Sequence, residues 1–427
     1  MHIFSQRPLA LCPGEMKHNG KGDQLIHHRS KIFGKRRKMK QRGYSKRIAG
    51  ISRSAIHEMT RLSREVDDVV LLSWARPSSD TPEHIKEAAV KAIKDRLAAA
   101  YSESSGLYEL RGEIAKKLIK VNDICAEPSQ VLVTVGAMEG SAAAVMALTD
   151  PGDEVILPTP TYSAHISQIA LAAARPVLVP LDEKENYALD LDAIKRAVTT
   201  KTRAIFYCSP SNPTGAVFSE EQLRSLAEIA IDHDLAIITD EAYEHFVYDG
   251  ARHFSIASIP ELSKRVVSCF TFTKTYSMTG WRVGYLHAYE DIARQISKAH
   301  IPLALCAPVV SQYAALAAIR GPQDCIGRFR EKYRKSRDLL CSRLDGLSGV
   351  FSYRRPEGAY LMFPKILAQD GADSTAFCRR LLTEARVSFS PGVEFGPNGE
   401  GHARISFCVP EEEINRAFDR LEKYFKV

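Results

Sequence analysis

The chain lacks the signals that mark several whole classes of protein. No uninterrupted apolar run approaches the roughly 20 residues that a membrane-spanning helix requires, so no such helix is predicted in these 427 residues. Its nine cysteines (Cys12, Cys125, Cys208, Cys269, Cys306, Cys325, Cys341, Cys378 and Cys408) are odd in number and scattered, with no CxxC pair. No secretory signal with a continuous apolar core accompanies them. This pattern predicts reduced thiols in a cytoplasmic protein, not a disulfide framework. The thirteen histidines form no HExxH and no Cys/His set at ligand spacing, so no metal is expected. No internal repeat is visible.

Charge is present but unevenly spread. The net charge is +7. Residues 1–49 hold thirteen Lys or Arg against Glu15 and Asp23, a local charge of +11 that leaves −4 for the remainder. The basic balance therefore belongs to an N-terminal extension, residues 1–44, densest at Lys35-Arg36-Arg37-Lys38 and read as disordered. Targeting, or a start at Met16 or Met39, are alternatives left open. The acidic body argues against nucleic acid as a substrate.

Past the extension, periodicity takes over. From Pro82 a helix is predicted, with Ile85, Ala89, Ile93 and Leu97 on one face. Short apolar runs follow at 131–135, 154–158, 176–180, 204–208, 235–239, 266–272 and 283–288. Helical patterns separate several of them; Ser219 and Gln222 form a capping-box start ahead of Leu223, Leu226 and Ala230. Seven buried strands interleaved with helices predict an α/β fold: a mostly parallel seven-stranded sheet covered by helices. After Ile319 the helices lengthen and the strands shorten, ending in a helix marked by Ile414, Phe418, Leu421 and Phe425. A large domain over 92–310 and a smaller α+β domain from 45–91 and 311–427 are expected.

In such sheets ligands gather beyond the carboxyl ends of the strands. The residues found there carry chemistry. After 131–135 come Gly136, Ala137 and Met138, a glycine leading into a helix N-terminus that suits a phosphate. After 204–208 comes Asn212, between Pro210 and Pro213. The run 235–239 leads into Asp240, a carboxylate that needs a partner if buried, and then Tyr243. The run 266–272 leads into Lys274, an amine that desolvation would make nucleophilic. Eight residues on, Arg282 is suited to bidentate phosphate binding.

The runs SPSNPTG (209–215), TDEAY (239–243) and TFTKTYSMTGWRVGY (271–285) resemble the class I/II aminotransferases of the aspartate aminotransferase fold. So do LTDPGDEVILPTPTY (148–162), PEGAYLMFP (356–364) and ARISF (403–407), and the resemblance spans about nine-tenths of the chain. It implies pyridoxal 5'-phosphate as cofactor and a ping-pong transfer of an amino group from an L-amino acid to a 2-oxo acid. By position, Lys274 resembles the catalytic lysine that forms the Schiff base. Asp240 resembles the partner of the ring nitrogen, Asn212 and Tyr243 those of the ring hydroxyl oxygen, and Tyr162 the residue stacked on the ring. Ala137 and Met138 (through their amides), Thr271 and Arg282 match the phosphate ligands. Tyr101 resembles the tyrosine supplied across a homodimer interface, and Arg404 the clamp on the substrate carboxylate.

Two departures bear on the substrate. In LSWARPSSDTP (72–82), Ala75 stands where relatives with a Gly-x-Gly-Glu-Pro-Asp pattern place a glycine close to the substrate carboxylate. Met138 stands where some relatives acting on acidic substrates carry a lysine. A β-lyase or other pyridoxal-phosphate chemistry, and a regulator built on an aminotransferase-like domain, are the alternatives at this stage.

Overall fold

Strands that are apolar on both faces are stable only between two layers, and the chain builds those layers around one sheet. The structure is a computed structural model that describes residues 43–51, 54–369 and 371–426. Residues 1–42 of the expected basic extension lie outside the described residues. The sheet strands are β1 (Val131–Thr134), β2 (Glu154–Thr159), β3 (Arg175–Pro180), β4 (Thr202–Cys208), β5 (Ala236–Asp240), β6 (Val266–Thr271) and β7 (Gly284–Ala288). Their order across the sheet is β1-β7-β6-β5-β4-β2-β3. Neighbours from β6 to β3 are parallel. Only β7 runs antiparallel, to both β1 and β6. The expected mostly parallel, seven-stranded α/β architecture is the one observed.

Alternation along the strands divides the core. Val155, Leu157, Phe206, Ile238 and Leu286 face one layer, which includes Ala143, Ala144 and Ile296 from the helices Ala137–Leu148 and Glu290–Ala304. Ile156, Ile205 and Ile237 face the opposite layer, packing on Leu223, Leu226 and Ala230 of the helix Glu220–Asp232. That helix begins with the predicted capping box between Ser219 and Gln222. Each fully buried Ile, Leu or Phe contributes about 1.5–3 kcal/mol.

The first predicted helix is shorter than its pattern. It covers Glu83–Lys94 and buries Ile85 and Ala89, whereas Ile93 is 61% exposed and Leu97 lies beyond the helix end. It packs with the helix Val309–Arg320 in the cluster that contains Val131, Val133 and Phe270 of the sheet. The boundaries expected at 91 and 311 separate these two helices from the sheet on which they pack. We therefore propose that the seam of the smaller domain runs just before Glu83 and just after Arg320. The remaining segments share their own core, in which Val70, Leu72, Leu340, Phe351, Phe389 and Phe418 are buried together. There, Leu361–Met362, Ala403–Ser406 and Ser390–Pro391 form a three-stranded antiparallel sheet. Arg47–Val427 form one compact unit, and no helix among the described residues is long and apolar enough to cross a membrane.

One buried ion pair ties a helix to the region beyond β5. Lys117, on the helix Tyr108–Asn122, donates to both oxygens of Glu244 at 2.6 Å, and Asn122 donates to Glu244 at 2.7 Å. Burial pushes the Glu244 carboxyl up, but the charges of Lys117, His245 and His253 outweigh it and hold the group at about 2. The folded value lies below the ordinary 4.5. The stabilisation is therefore present in full above about pH 4.5 and is lost as the pH falls toward about 2. Glu244→Gln leaves Lys117 without its counter-charge and is expected to cost about 3 kcal/mol at neutral pH. Urea midpoints across the acid range should show the largest deficit near neutrality and convergence with the unmutated protein at the acid end.

Candidate active site

The strand ends deliver most of the expected residues to one place. All of them except Tyr101 line a single cavity of about 760 Å³. Tyr101 is 82% exposed and does not line the cavity.

Lys274 lies one turn beyond the strand. After β6 the chain enters a short helical turn, Phe272–Thr275, whose N-cap is Thr271. The Thr271 hydroxyl accepts from the Thr273 backbone N–H at 3.1 Å and lies 2.8 Å from Thr273 Oγ1. The cap aims the Lys274 side chain inward, where Nζ donates to the Ala75 carbonyl at 3.0 Å. The ammonium lies 5.6 Å from the ring centroid of Tyr243 and 5.7 Å from that of Tyr360. Burial lowers the Lys274 pKa to about 8; Cys408 opposes this and the Arg404 charge reinforces it.

Asp240 closes β5 and points at the same space. Its Oδ1 accepts from the Ala242 backbone N–H at 3.0 Å, and its Oδ2 lies 3.2 Å from His165 Nε2. The other His165 nitrogen contacts Thr161 Oγ1 at 3.2 Å, which fixes the ring. His165 was not singled out from the sequence, because it belongs to the helix Ser163–Leu171, 75 residues from its carboxylate partner. Tyr162 is the N-cap residue of that helix. Its hydroxyl pKa is raised by burial.

An anion cradle forms where β1 turns into the helix Ala137–Leu148. Gly136 takes φ = 75° there, and no side chain caps the helix. A Cβ at Gly136 would fall 2.6 Å from Arg282 Nη2, so any side chain there would displace the guanidinium. Arg282 donates to the Thr279 carbonyl at 3.2 Å and reaches the Val135 carbonyl at 3.5 Å. The site thus combines uncapped backbone N–H groups with a planar cation, the combination that binds phosphate.

Arg404, on the strand Ala403–Ser406, is 2% exposed. It donates to Asn212 Oδ1 at 3.2 Å, to Ser390 Oγ at 3.2 Å and to the Ser73 carbonyl. All three acceptors are neutral. Its Nε has no partner among the described residues, and burial lowers its pKa. Asn212 is held by its loop: Gly215, at φ = 73°, accepts from the backbone of Glu357 at 3.0 Å and of Gly358 at 2.7 Å. A Cβ on Gly215 would meet Pro356 at 2.6 Å.

Two further residues brace the site, Glu394 in the lining and Tyr360 buried behind it. Glu394 accepts from Ser54 Oγ and the Ala55 backbone N–H, each at 2.6 Å, and from Ser163 Oγ at 2.8 Å. It thereby joins the starts of the helices Ala55–Ser63 and Ser163–Leu171. Tyr360 donates to the Ala75 carbonyl at 3.3 Å. Its run PEGAY was legible in the sequence; this contact was not.

The model of the family described as aminotransferase class I and II matches residues 67–421. The chain belongs to this family. Among relatives, this aminotransferase is 38% identical to the aspartate aminotransferase of Pyrococcus abyssi, over 90% of the chain and 98% of that protein. It is 36% identical to aromatic-amino-acid aminotransferase 2 of Thermococcus litoralis, again over 90% of the chain and 98% of the relative. Among solved structures, the aromatic aminotransferase from Pyrococcus horikoshii OT3 superposes with a TM-score of 0.81 at 38% identity, covering 87% of this chain and 98% of that one. Enzymes of this family work with pyridoxal phosphate on amino and 2-oxo acids. The aminotransferase expected from the motifs is therefore the one found, and the regulator alternative drops away.

The cradle gives a direct test. Gly136→Ala is expected to lower stability by about 1–3 kcal/mol, from the left-handed backbone and the displaced Arg282. Urea unfolding should read this loss, with Gly152→Ala, also at positive φ but facing open space, showing the smaller backbone cost alone.

Proposed function

We propose that this aminotransferase binds pyridoxal 5'-phosphate at Lys274 and moves an amino group from an L-amino acid to a 2-oxo acid in two half-reactions at one site. One observation carries the reading: a desolvated amine on Lys274 shares its cavity with a buried Arg404 whose Nε has no partner among the described residues. An unpaired, buried donor of that kind calls for an anion, and an α-carboxylate is the anion an amino-acid substrate brings.

The residues fit the cofactor. Arg282, Thr271 and the backbone N–H groups of Ala137 and Met138 would hold its phosphate, with Gly136 leaving room for the Arg282 guanidinium beside them. Asp240 would keep the ring nitrogen protonated, with His165 steadying the carboxylate. Asn212 and Tyr243 would bind the ring hydroxyl oxygen, and Tyr162 would cover a ring face. When bound, pyridoxal phosphate supplies a carbon that condenses with amines and a cationic ring that takes up electrons.

The chain's own groups supply positioning and proton movement. Arg404 holds the substrate carboxylate and so fixes which bond at the α-carbon faces Lys274. Lys274 must be neutral both to attack as a nucleophile and to take the α-proton. With a pKa of about 8, about a quarter of it is neutral at pH 7.5, against about one part in a thousand for an ordinary lysine. Ala75 accepts from the amine at 3.0 Å and so holds Nζ in place between the two roles. The two half-reactions predict ping-pong kinetics. We further propose a cytoplasmic homodimer in which Tyr101 reaches the phosphate of the neighbouring subunit, a role supported by its exposure.

Purified protein should absorb in the visible range and lose that band on addition of an amino donor. A protein that stays colourless with added pyridoxal phosphate would sink the reading. Lys274→Ala is expected to reduce amino transfer by about 10³-fold or more, and release of ammonia without any 2-oxo acceptor would point to lyase chemistry instead. In cofactor-free protein, the rate of reaction with pyridoxal phosphate should rise with pH through an apparent pKa of about 8, because only the neutral amine attacks. A midpoint above pH 10 would contradict the desolvated amine.

A further inference from the structure

Of the cations that line the cavity, one has no work in the reading above. Lys274 is held by Ala75, Arg282 by Thr279 and Val135, and Arg404 by Asn212, Ser73 and Ser390. Arg76 lines the same cavity, is exposed, and has no hydrogen bond, ion pair or ring contact among the described residues. The nearest acidic residue along the chain, Asp80, is paired with Lys86 at 2.9 Å. The lining carboxylate Glu394 is occupied by Ser54, Ala55 and Ser163. Among the described residues, no carboxylate is paired with Arg76.

The backbone that carries it is pinned on both sides. The Ser73 carbonyl accepts from Arg404 and from Ser390 Oγ, the Ala75 carbonyl from Lys274 and Tyr360, and Ser78 donates its N–H to the Cys408 carbonyl at 3.0 Å. Two residues away, Trp74 also lines the cavity, edge-on to His57 with centroids 6.1 Å apart. Arg76 is thus a free guanidinium on a fixed segment, not one on a loose loop. It also occupies the acidic position of the Gly-x-Gly-Glu-Pro-Asp pattern, so the charge at this place in the rim is reversed. Met138, 41% exposed, offers no cation where some acidic-substrate relatives carry a lysine.

We propose that Arg76 is a specificity-determining residue that binds the distal carboxylate of a dicarboxylic 2-oxo acid or amino acid, while Arg404 binds the α-carboxylate. This rests on the amino-transfer reading of the site and adds its substrate class. A planar guanidinium takes a carboxylate through two parallel hydrogen bonds. The cation missing at position 138 is supplied from position 76 instead. Because Arg76 faces solvent, its contribution falls with added salt.

The test compares two acceptors, 2-oxoglutarate with a distal carboxylate and pyruvate without one, on Arg76→Gln, Arg76→Lys and the unmutated enzyme. The ratio of kcat/KM for 2-oxoglutarate over pyruvate should fall by about tenfold or more in Arg76→Gln, through KM, and recover in part in Arg76→Lys. The same ratio should fall with ionic strength in the unmutated enzyme and in Arg76→Lys, but not in Arg76→Gln. An unchanged ratio, with both acceptors lowered equally and the visible band intact, overturns the assignment of Arg76 and leaves the cofactor reading standing. An unmutated enzyme with no visible band and no turnover overturns both.

Discussion

A guanidinium removed from water without a carboxylate beside it is the constraint on which this site is built. Arg404 is nearly inaccessible, and its partners are a side-chain amide, a hydroxyl and a backbone carbonyl. Such neutral acceptors satisfy its geometry without cancelling its charge. The surrounding structure is recruited to hold the arrangement. Asn212 comes from the loop after β4, Ser390 from the small antiparallel sheet, and Ser73 from the segment that continues to Ala75 and Arg76. Two cores of the protein thus meet at one cation, whose charge none of its hydrogen-bond partners cancels.

Chemistry at the sheet follows from how each strand stops. β6 ends in a capped turn that carries Lys274 inward, so the amine is desolvated while its backbone remains hydrogen-bonded. β5 ends on Asp240, which finds a backbone N–H and an imidazole before any ligand arrives. β1 ends at Gly136, where the missing Cβ leaves room for Arg282. In each case a local rule of chain termination also determines what the cavity can bind.

The sequence made the sheet legible because each strand is a short apolar run bounded by turn residues, and the candidate site residues lie near the ends of those runs. Lys274, Asp240, Asn212 and Arg282 could be read in this way. Arg404 rested on the family resemblance of its motif, and its uncompensated burial is visible only in three dimensions. His165 and Glu394 could not be read, since each acts on a partner far along the chain: Asp240 for the first, Ser54 and Ser163 for the second. The helical face from Ile85 to Leu97 was read too long, because Ile93 and Leu97 keep the apolar period without a layer to bury them. Tyr101 illustrates a different limit: its proposed role depends on another subunit, and within one chain it is an exposed side chain outside the cavity.

The carbonyl of Ala75 is moored twice, by the Lys274 amine and by the Tyr360 hydroxyl. A carbonyl oxygen has two lone pairs, so the two donors do not compete. In the proposed reaction, when Lys274 turns to the substrate, Tyr360 still holds the oxygen, and the acceptor keeps a partner. The segment from Ser73 to Ser78 therefore need not shift each time the lysine changes partner. Redundancy at one backbone atom separates the mobility that turnover demands of Lys274 from the stillness that recognition demands of its neighbours.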